Sequence, residues 1–119
     1  MSDILVLVMT GPDEEKGGIK VSEGLHLLES VAIKGKEKIR IILKGEGVEW
    51  IRVKSGEIEK MILEHLEVLS ELGVLVGVCF SSIQQRGLEM YLDDLEIKPV
   101  ASTDWFSKAL GNNWEIITF

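Results

Sequence analysis

Val74-Leu75-Val76-Gly77-Val78-Cys79-Phe80-Ser81-Ser82-Ile83-Gln84-Gln85-Arg86-Gly87-Leu88 is the stretch that decides the fold. Val74 to Val78 is β-branched and apolar without alternation, the pattern of a strand covered on both faces. Gly73 ends a helix before it. After it, Ser81 and Ser82 each stand three residues ahead of a glutamine, so either can cap a helix that starts within about three residues of the sulfur. The chain's one cysteine, Cys79, therefore sits between a strand end and a helix start. Unpaired N–H groups and the positive end of a helix dipole favour thiolate over thiol there, which makes an accessible, reactive cysteine the expectation. The competing reading is inert packing, since free cysteine often serves as a small buried hydrophobe. In open α/β sheets, however, chemistry gathers at the carboxyl ends of strands.

Working outward, Ile4 to Met9 is a continuous apolar run closed by Thr10-Gly11-Pro12 and reads as a strand in the middle of the sheet. Val21, Leu25, Leu28 and Ala32 recur at helical spacing, so a first helix is predicted over 18–34 with Gly35 after it. Ile39 to Leu43 follows as a second strand, and Gly45-Glu46-Gly47-Val48 as a flexible loop where Gly45 and Gly47 would let a ligand approach the backbone. The second helix is expected over 57–72, with Ser55 or Gly56 at its start, acidic Glu57 and Glu59 at the positive end of its dipole, and Ile58, Met61, Ile62, Leu66, Leu69 and Leu72 facing inward. A third runs from Ser82 to about Leu92. Ile97 to Ala101 carries Pro99, which cannot donate to a ladder, so that strand belongs at a sheet edge. Ser102 caps a last helix through Leu110, and Trp114 to Phe119 is the fifth strand. Alternating strands and helices predict a three-layer α/β/α sandwich with a mostly parallel five-stranded sheet, built as one domain over residues 1–119. The strand order does not follow from this pattern.

Composition narrows the function classes. A net charge of −7, with 13 basic residues scattered among 20 acidic ones, opposes a nucleic-acid surface. The runs Asp13 to Lys16 and Lys34 to Lys38 read as solvated loops. One cysteine permits no internal disulfide, which suits a reducing cytoplasmic setting, and Ile4 to Met9 is too short for a membrane span. His26 and His65 lie on separate helices without the spacing that gives two metal ligands from one face, so no metal is expected. His65 has a weak claim as a base to Cys79. No phosphate loop, dinucleotide turn or nucleophile elbow is present, so no cofactor is expected and hydrolase readings lose their motifs. Arg86, one turn beyond Ser82, is read as an ion pair to a neighbouring element or as the anchor of an anionic sulfur species. Trp105 is expected in a contact surface.

With Cys79, Ser82, Arg86, Gly87 and Leu88 following Val74 to Val78, the chain resembles the DsrE/DsrF family of sulfur-relay proteins. The likeness also takes in the opening strand, the Gly45 to Val48 loop and the closing Ile117-Thr118-Phe119. It implies a persulfide-carrying cysteine at Cys79, and on the reading of the residues given above Ser81, Ser82, Arg86, Gly45 and Gly47 are the expected binding residues around that sulfur. It also implies donor and acceptor proteins as partners, a sulfurtransferase-like role, and a homotrimer or homohexamer. Other members of that family lack the cysteine and are structural, so a non-catalytic oligomeric scaffold is the alternative. The absence of a second thiol favours relay over dithiol redox chemistry, which needs a resolving partner.

Overall fold

A computed structural model describes residues 3–13, 15–35, 38–52, 56–93 and 97–119. The elements run β1 (Ile4–Val8), α1 (Gly17–Lys34), β2 (Ile39–Leu43), a 3₁₀ helix (Gly45–Ile51), α2 (Glu57–Glu71), β3 (Leu75–Cys79) and α3 (Phe80–Arg86). A short 3₁₀ turn (Glu89–Tyr91), β4 (Lys98–Val100), α4 (Ser102–Gly111) and β5 (Glu115–Thr118) complete the chain. The five strands form one sheet in the order β4-β3-β2-β1-β5, and every neighbouring pair is parallel. Pro99 lies in an edge strand, β4, and β1 in the interior, as the sequence pattern requires.

That order dictates which face each helix covers. The crossovers β1 to β2, β2 to β3 and β3 to β4 all step the same way across the sheet. Right-handed crossovers that step one way share one face. The last connection, β4 to β5, runs back past the whole sheet and puts α4 on the other face. The two cores follow this division. On the first face Val6, Val8, Ile41, Leu43 and Val78 pack against Val21, Leu25 and Leu28 of α1, Ile62, Leu66 and Leu69 of α2, and Ile83 of α3. On the second, Leu5, Ile42, Cys79 and Ala109 form a smaller core edged by Leu7, Val100, Trp105, Trp114 and Ile116. At about 1.5–3 kcal/mol for each fully buried aliphatic side chain, the first core supplies most of the hydrophobic stabilisation.

Several local expectations are corrected. Helix α3 starts at Phe80 with Cys79 itself at the N-cap position, so neither Ser81 nor Ser82 caps it. It stops at Arg86, because Gly87 takes the left-handed conformation (φ 64°) and turns the chain, and residues up to Leu92 continue only as a 3₁₀ turn. Likewise Ala101 holds the N-cap position of α4, and Ser102 is its first residue. Gly56 precedes α2, while Ser55 lies outside the described residues, as do Glu14, Lys36 and Glu37 of the charged runs. Of the apolar residues expected to face inward from α2, only Ile62, Leu66 and Leu69 are buried; Ile58, Met61 and Leu72 are exposed, because the stripe that meets the sheet is narrower than the apolar pattern. The Gly45 to Val48 segment is wound into the 3₁₀ helix. Its glycine at 47 accommodates the protein's own backbone: a Cβ there would stand 1.9 Å from the Val8 carbonyl oxygen. Trp50, a buried residue of this helix, donates its indole N–H to the Thr10 carbonyl at 2.7 Å, tying the loop after β1 to the 3₁₀ helix. Trp105 is half-buried at the edge of the smaller core, its ring 5.6 Å from the Arg40 guanidinium, which also sits 4.5 Å from the Trp114 ring.

Candidate functional site

Three adjacent parallel strands end at one level and bring their next residues together. Leu43 of β2 is paired with Val78 of β3, and Cys79 with Val100 of β4. Lys44 therefore lies beside Cys79, and Ser102, two residues past Val100, reaches it from the other side. The Lys44 ammonium is 3.6 Å from Cys79 Sγ and 3.0 Å from Ser102 Oγ, and Ser102 Oγ is 3.2 Å from the sulfur. Ser81 Oγ stands 3.9 Å away. Ser82 completes the ring: its hydroxyl oxygen accepts the Gly45 N–H at 3.0 Å.

The donors are arranged so that both buried hydroxyls give their protons to sulfur. Lys44 occupies the oxygen of Ser102 as a donor, and the Gly45 N–H occupies the oxygen of Ser82. Each O–H is left free to point at Cys79. Burial of the thiol opposes ionisation, but hydrogen bonds from the Ser102 hydroxyl, the Ser82 hydroxyl, the Ser82 N–H and the Ser81 hydroxyl outweigh it. Together they lower the Cys79 pKa from 9.0 to about 6. The Lys44 ammonium adds a positive charge at contact distance, and among the described residues it pairs with no carboxylate.

Cys79, Ser81, Ser82 and Gly45 thus come together. Arg86 and Gly47 do not join them. The guanidinium of Arg86 is 3.6 Å from Glu49, a buried acid of the 3₁₀ helix that also pairs with Arg52. Arg86 lines a separate small cavity with Gly11, Pro12, Asp13 and Glu46. Gly47 serves the packing against Val8. Lys44 and Ser102 are the residues that sequence reasoning missed. The one available signal was a lysine directly after a buried strand, followed by glycine, and it becomes meaningful only once β2 is known to neighbour β3.

The sulfur is less accessible than a reactive-cysteine reading anticipates, for Cys79 is 2% exposed. Lys44 and Ser102, which cover it, also line an open cavity of about 320 Å³ whose other walls are Leu7, Met9, Thr103, Phe106 and Ser107.

His65 lies in the α1–α2 layer, on the face of the sheet away from the Cys79 core, bonded to Glu29 and Ser22, and so serves no role as base to the thiol. Among the described residues, His26, Glu29 and His65 form one group of potential metal ligands, a convergence of two helices that spacing along either one does not reveal. Among the same residues no helix is long and apolar enough to cross a membrane.

A model of the DsrE/DsrF-like family matches residues 2–119. No curated protein matches the chain. Among solved structures, the ychN protein of E. coli superposes with a TM-score of 0.73 at 19% identity, covering 100% of both chains. A conserved protein of unknown function from Bacteroides thetaiotaomicron gives 0.73 at 15% identity over 98% of this chain and 95% of its own. A protein of unknown function from Methanobacterium thermoautotrophicum gives 0.68 at 18% over 98% and 99%. At these identities the likeness is one of fold.

Proposed function

The chain belongs to the DsrE/DsrF-like family, and we propose that within it the protein is a cytoplasmic sulfur carrier that holds sulfane sulfur as a persulfide on Cys79. The observation that carries this reading is the setting of the thiol, whose sulfur lies 3.6 Å from the Lys44 ammonium, 3.2 Å from Ser102 Oγ and 3.9 Å from Ser81 Oγ. These donors, with Ser82, favour the thiolate at neutral pH. In the loading step the Cys79 thiolate attacks the outer sulfur of a donor persulfide. A new S–S bond forms on Cys79, the donor's S–S bond breaks, and its electron pair leaves with the donor as a thiolate. In the handing-on step an acceptor thiolate attacks the same outer sulfur and Cys79 departs as thiolate. No oxidant is consumed in either direction. A low leaving-group pKa speeds the second step, and the donors that hold the thiolate also suit the persulfide anion. Lys44 supplies the counter-charge in both states. Loading requires Lys44 and Ser102 to part toward the cavity.

The partners in this reading are donor and acceptor proteins with persulfide and thiol groups. The protein acts as one domain and assembles as a homotrimer or homohexamer. Exposed Met9, Phe106 and Leu110, on or near the face that α4 alone covers, support an assembly. A second reading, a non-catalytic oligomeric scaffold with Cys79 as packing, is favoured by the 2% exposure of that residue.

Intact-mass analysis decides between them. Native protein incubated with a low-molecular-weight persulfide should gain about 32 mass units per sulfur, reversibly with reductant, and Cys79→Ser should gain none. A native chain that takes up no sulfur, while the urea-unfolded chain does, would establish the scaffold instead.

A further inference from the structure

The outer layer of the protein carries a second constellation, unconnected with the thiol. Ser22, His26 and Glu29 follow one another on one stripe of α1, at spacings of four and three residues, and face Met61 and His65, four apart on α2. Glu29 lies between the two imidazoles: Oε1 is 2.5 Å from His65 Nδ1 and Oε2 is 3.8 Å from His26 Nδ1. The Glu29 and His65 side chains are mostly covered, at 16% and 18% exposure, whereas His26 is 71% exposed.

The hydrogen bonds around His65 limit what can lie between it and Glu29. The Ser22 hydroxyl donates to Met61 Sδ at 3.4 Å, so its oxygen is free to accept from His65 Nε2, also at 3.4 Å. In the tautomer whose Nε2–H is given to Ser22, Nδ1 of His65 offers its lone pair on the side of the Glu29 carboxylate, the arrangement in which a histidine and a carboxylate share a metal ion. Nitrogen and oxygen donors on a tetrahedral zinc ion stand about 3.3 Å apart, given bonds of about 2.0–2.2 Å. The ligand atoms of His26, Glu29 and His65 all lie within 4.8 Å of one another, and the separations of 2.5 and 3.8 Å bracket the tetrahedral value. A turn of the carboxylate and a swing of the exposed His26 ring close the difference.

We propose that His26, Glu29 and His65 form a zinc site that staples α1 to α2, with water in the fourth position. Ser22 is its positioning residue, accepting the Nε2–H of His65 so that Nδ1 faces the ion, in the way outer partners fix the tautomer of a metal-bound histidine. The ion cross-links the two helices that cover the larger core. This departs from the expectation that metal has no part in the protein.

The test uses the full chain, freed of metal by a chelator, in the wild-type and Cys79→Ser forms. Zinc is titrated in competition with a chromophoric chelator. One ion per chain should bind equally well in both forms, which separates this site from the thiol. Glu29→Gln and His65→Gln should each weaken binding by at least about tenfold, the scale seen even when an outer partner is lost. Zinc, and not magnesium, should raise the thermal midpoint by several degrees through linkage to the native state. Because Glu29 and His65 are partly covered, circular dichroism checks the fold of their variants, and His26→Gln at an exposed position supplies an independent arm that should also weaken binding. The proposal is overturned if the Cys79→Ser protein binds no zinc, or if binding survives undiminished in folded variants at the three positions.

Discussion

The Lys44 ammonium stands 3.6 Å from the Cys79 sulfur across 35 residues of sequence, the two brought side by side by the pairing of β2 with β3. A cation at that distance favours the thiolate. Titration of the ultraviolet thiolate band, read as a difference against Cys79→Ser, should show a midpoint near 6. Lys44→Gln should raise it by about one unit, as expected on losing an opposite charge at contact distance. An unchanged midpoint would remove Lys44 from the site's electrostatics.

Ionisation of Cys79 should also be visible as stability. Its folded pKa lies below the unfolded one, so the unfolded chain binds more protons between about pH 6 and 9 and stability rises with pH across that window. The contribution is full above the unfolded pKa and is lost as pH falls through about 6. Urea midpoints of wild type minus those of Cys79→Ser, measured under reductant at several pH values, should climb through this range, by on the order of a few kcal/mol when converted. A flat difference would mean that the thiol is not held as thiolate.

Arg86 separates structure from sulfur chemistry. Arg86→Ala leaves the buried Glu49 with Arg52 alone and should cost about 1–3 kcal/mol, while the thiolate midpoint stays where it was. If the midpoint instead rises as in Lys44→Gln, the guanidinium acts on the sulfur after all.

Gly47→Ala should be among the most damaging single changes in the chain. Its Cβ meets rigid backbone at Val8, so the 3₁₀ helix must move, at a cost of roughly 3 kcal/mol or more. Gly45 would be displaced with it, weakening the N–H contact that orients Ser82. In whatever fraction folds, the thiolate midpoint should rise. Denaturant melts together with the same difference titration check both effects.

The proposed assembly predicts a light-scattering mass of three or six chains at tens of micromolar, where specific interfaces persist. Phe106→Glu, at an exposed position of α4, should lower that mass if this face is the contact. A monomer in the unaltered protein would dismiss the assembly.

Much of the framework was legible because it is local. The continuous apolar runs at Ile4 and Val74 identify interior parallel strands, Pro99 identifies an edge, helical periodicity locates α1 and α2, and the flanking serine and glycine signals bracket α4. Where local signals compete, reading fails: Leu88, Tyr91 and Leu92 keep a helical rhythm past Gly87, but a left-handed glycine breaks the helix regardless. Half of the site was legible for the same reason, since Ser81 and Ser82 follow the cysteine directly. Lys44 and Ser102 were not, because their closeness to Cys79 depends on strand order, which no short stretch encodes. The facing of Glu29 and His65 depends on how two helices pack and is equally hidden.

The parallel register of β2, β3 and β4 makes the sheet a ruler, and that sets where the chain can tolerate a change in length. Deleting one residue within β2 would draw Lys44 back by one strand step, about 3.3 Å, and turn its side chain to the opposite face. A residue added between Asp13 and Lys16, before α1, would leave every distance around the sulfur unaltered. Insertions and deletions should therefore be accepted in the connection before α1 and rejected in three short strands, even though most residues of those strands never touch the thiol.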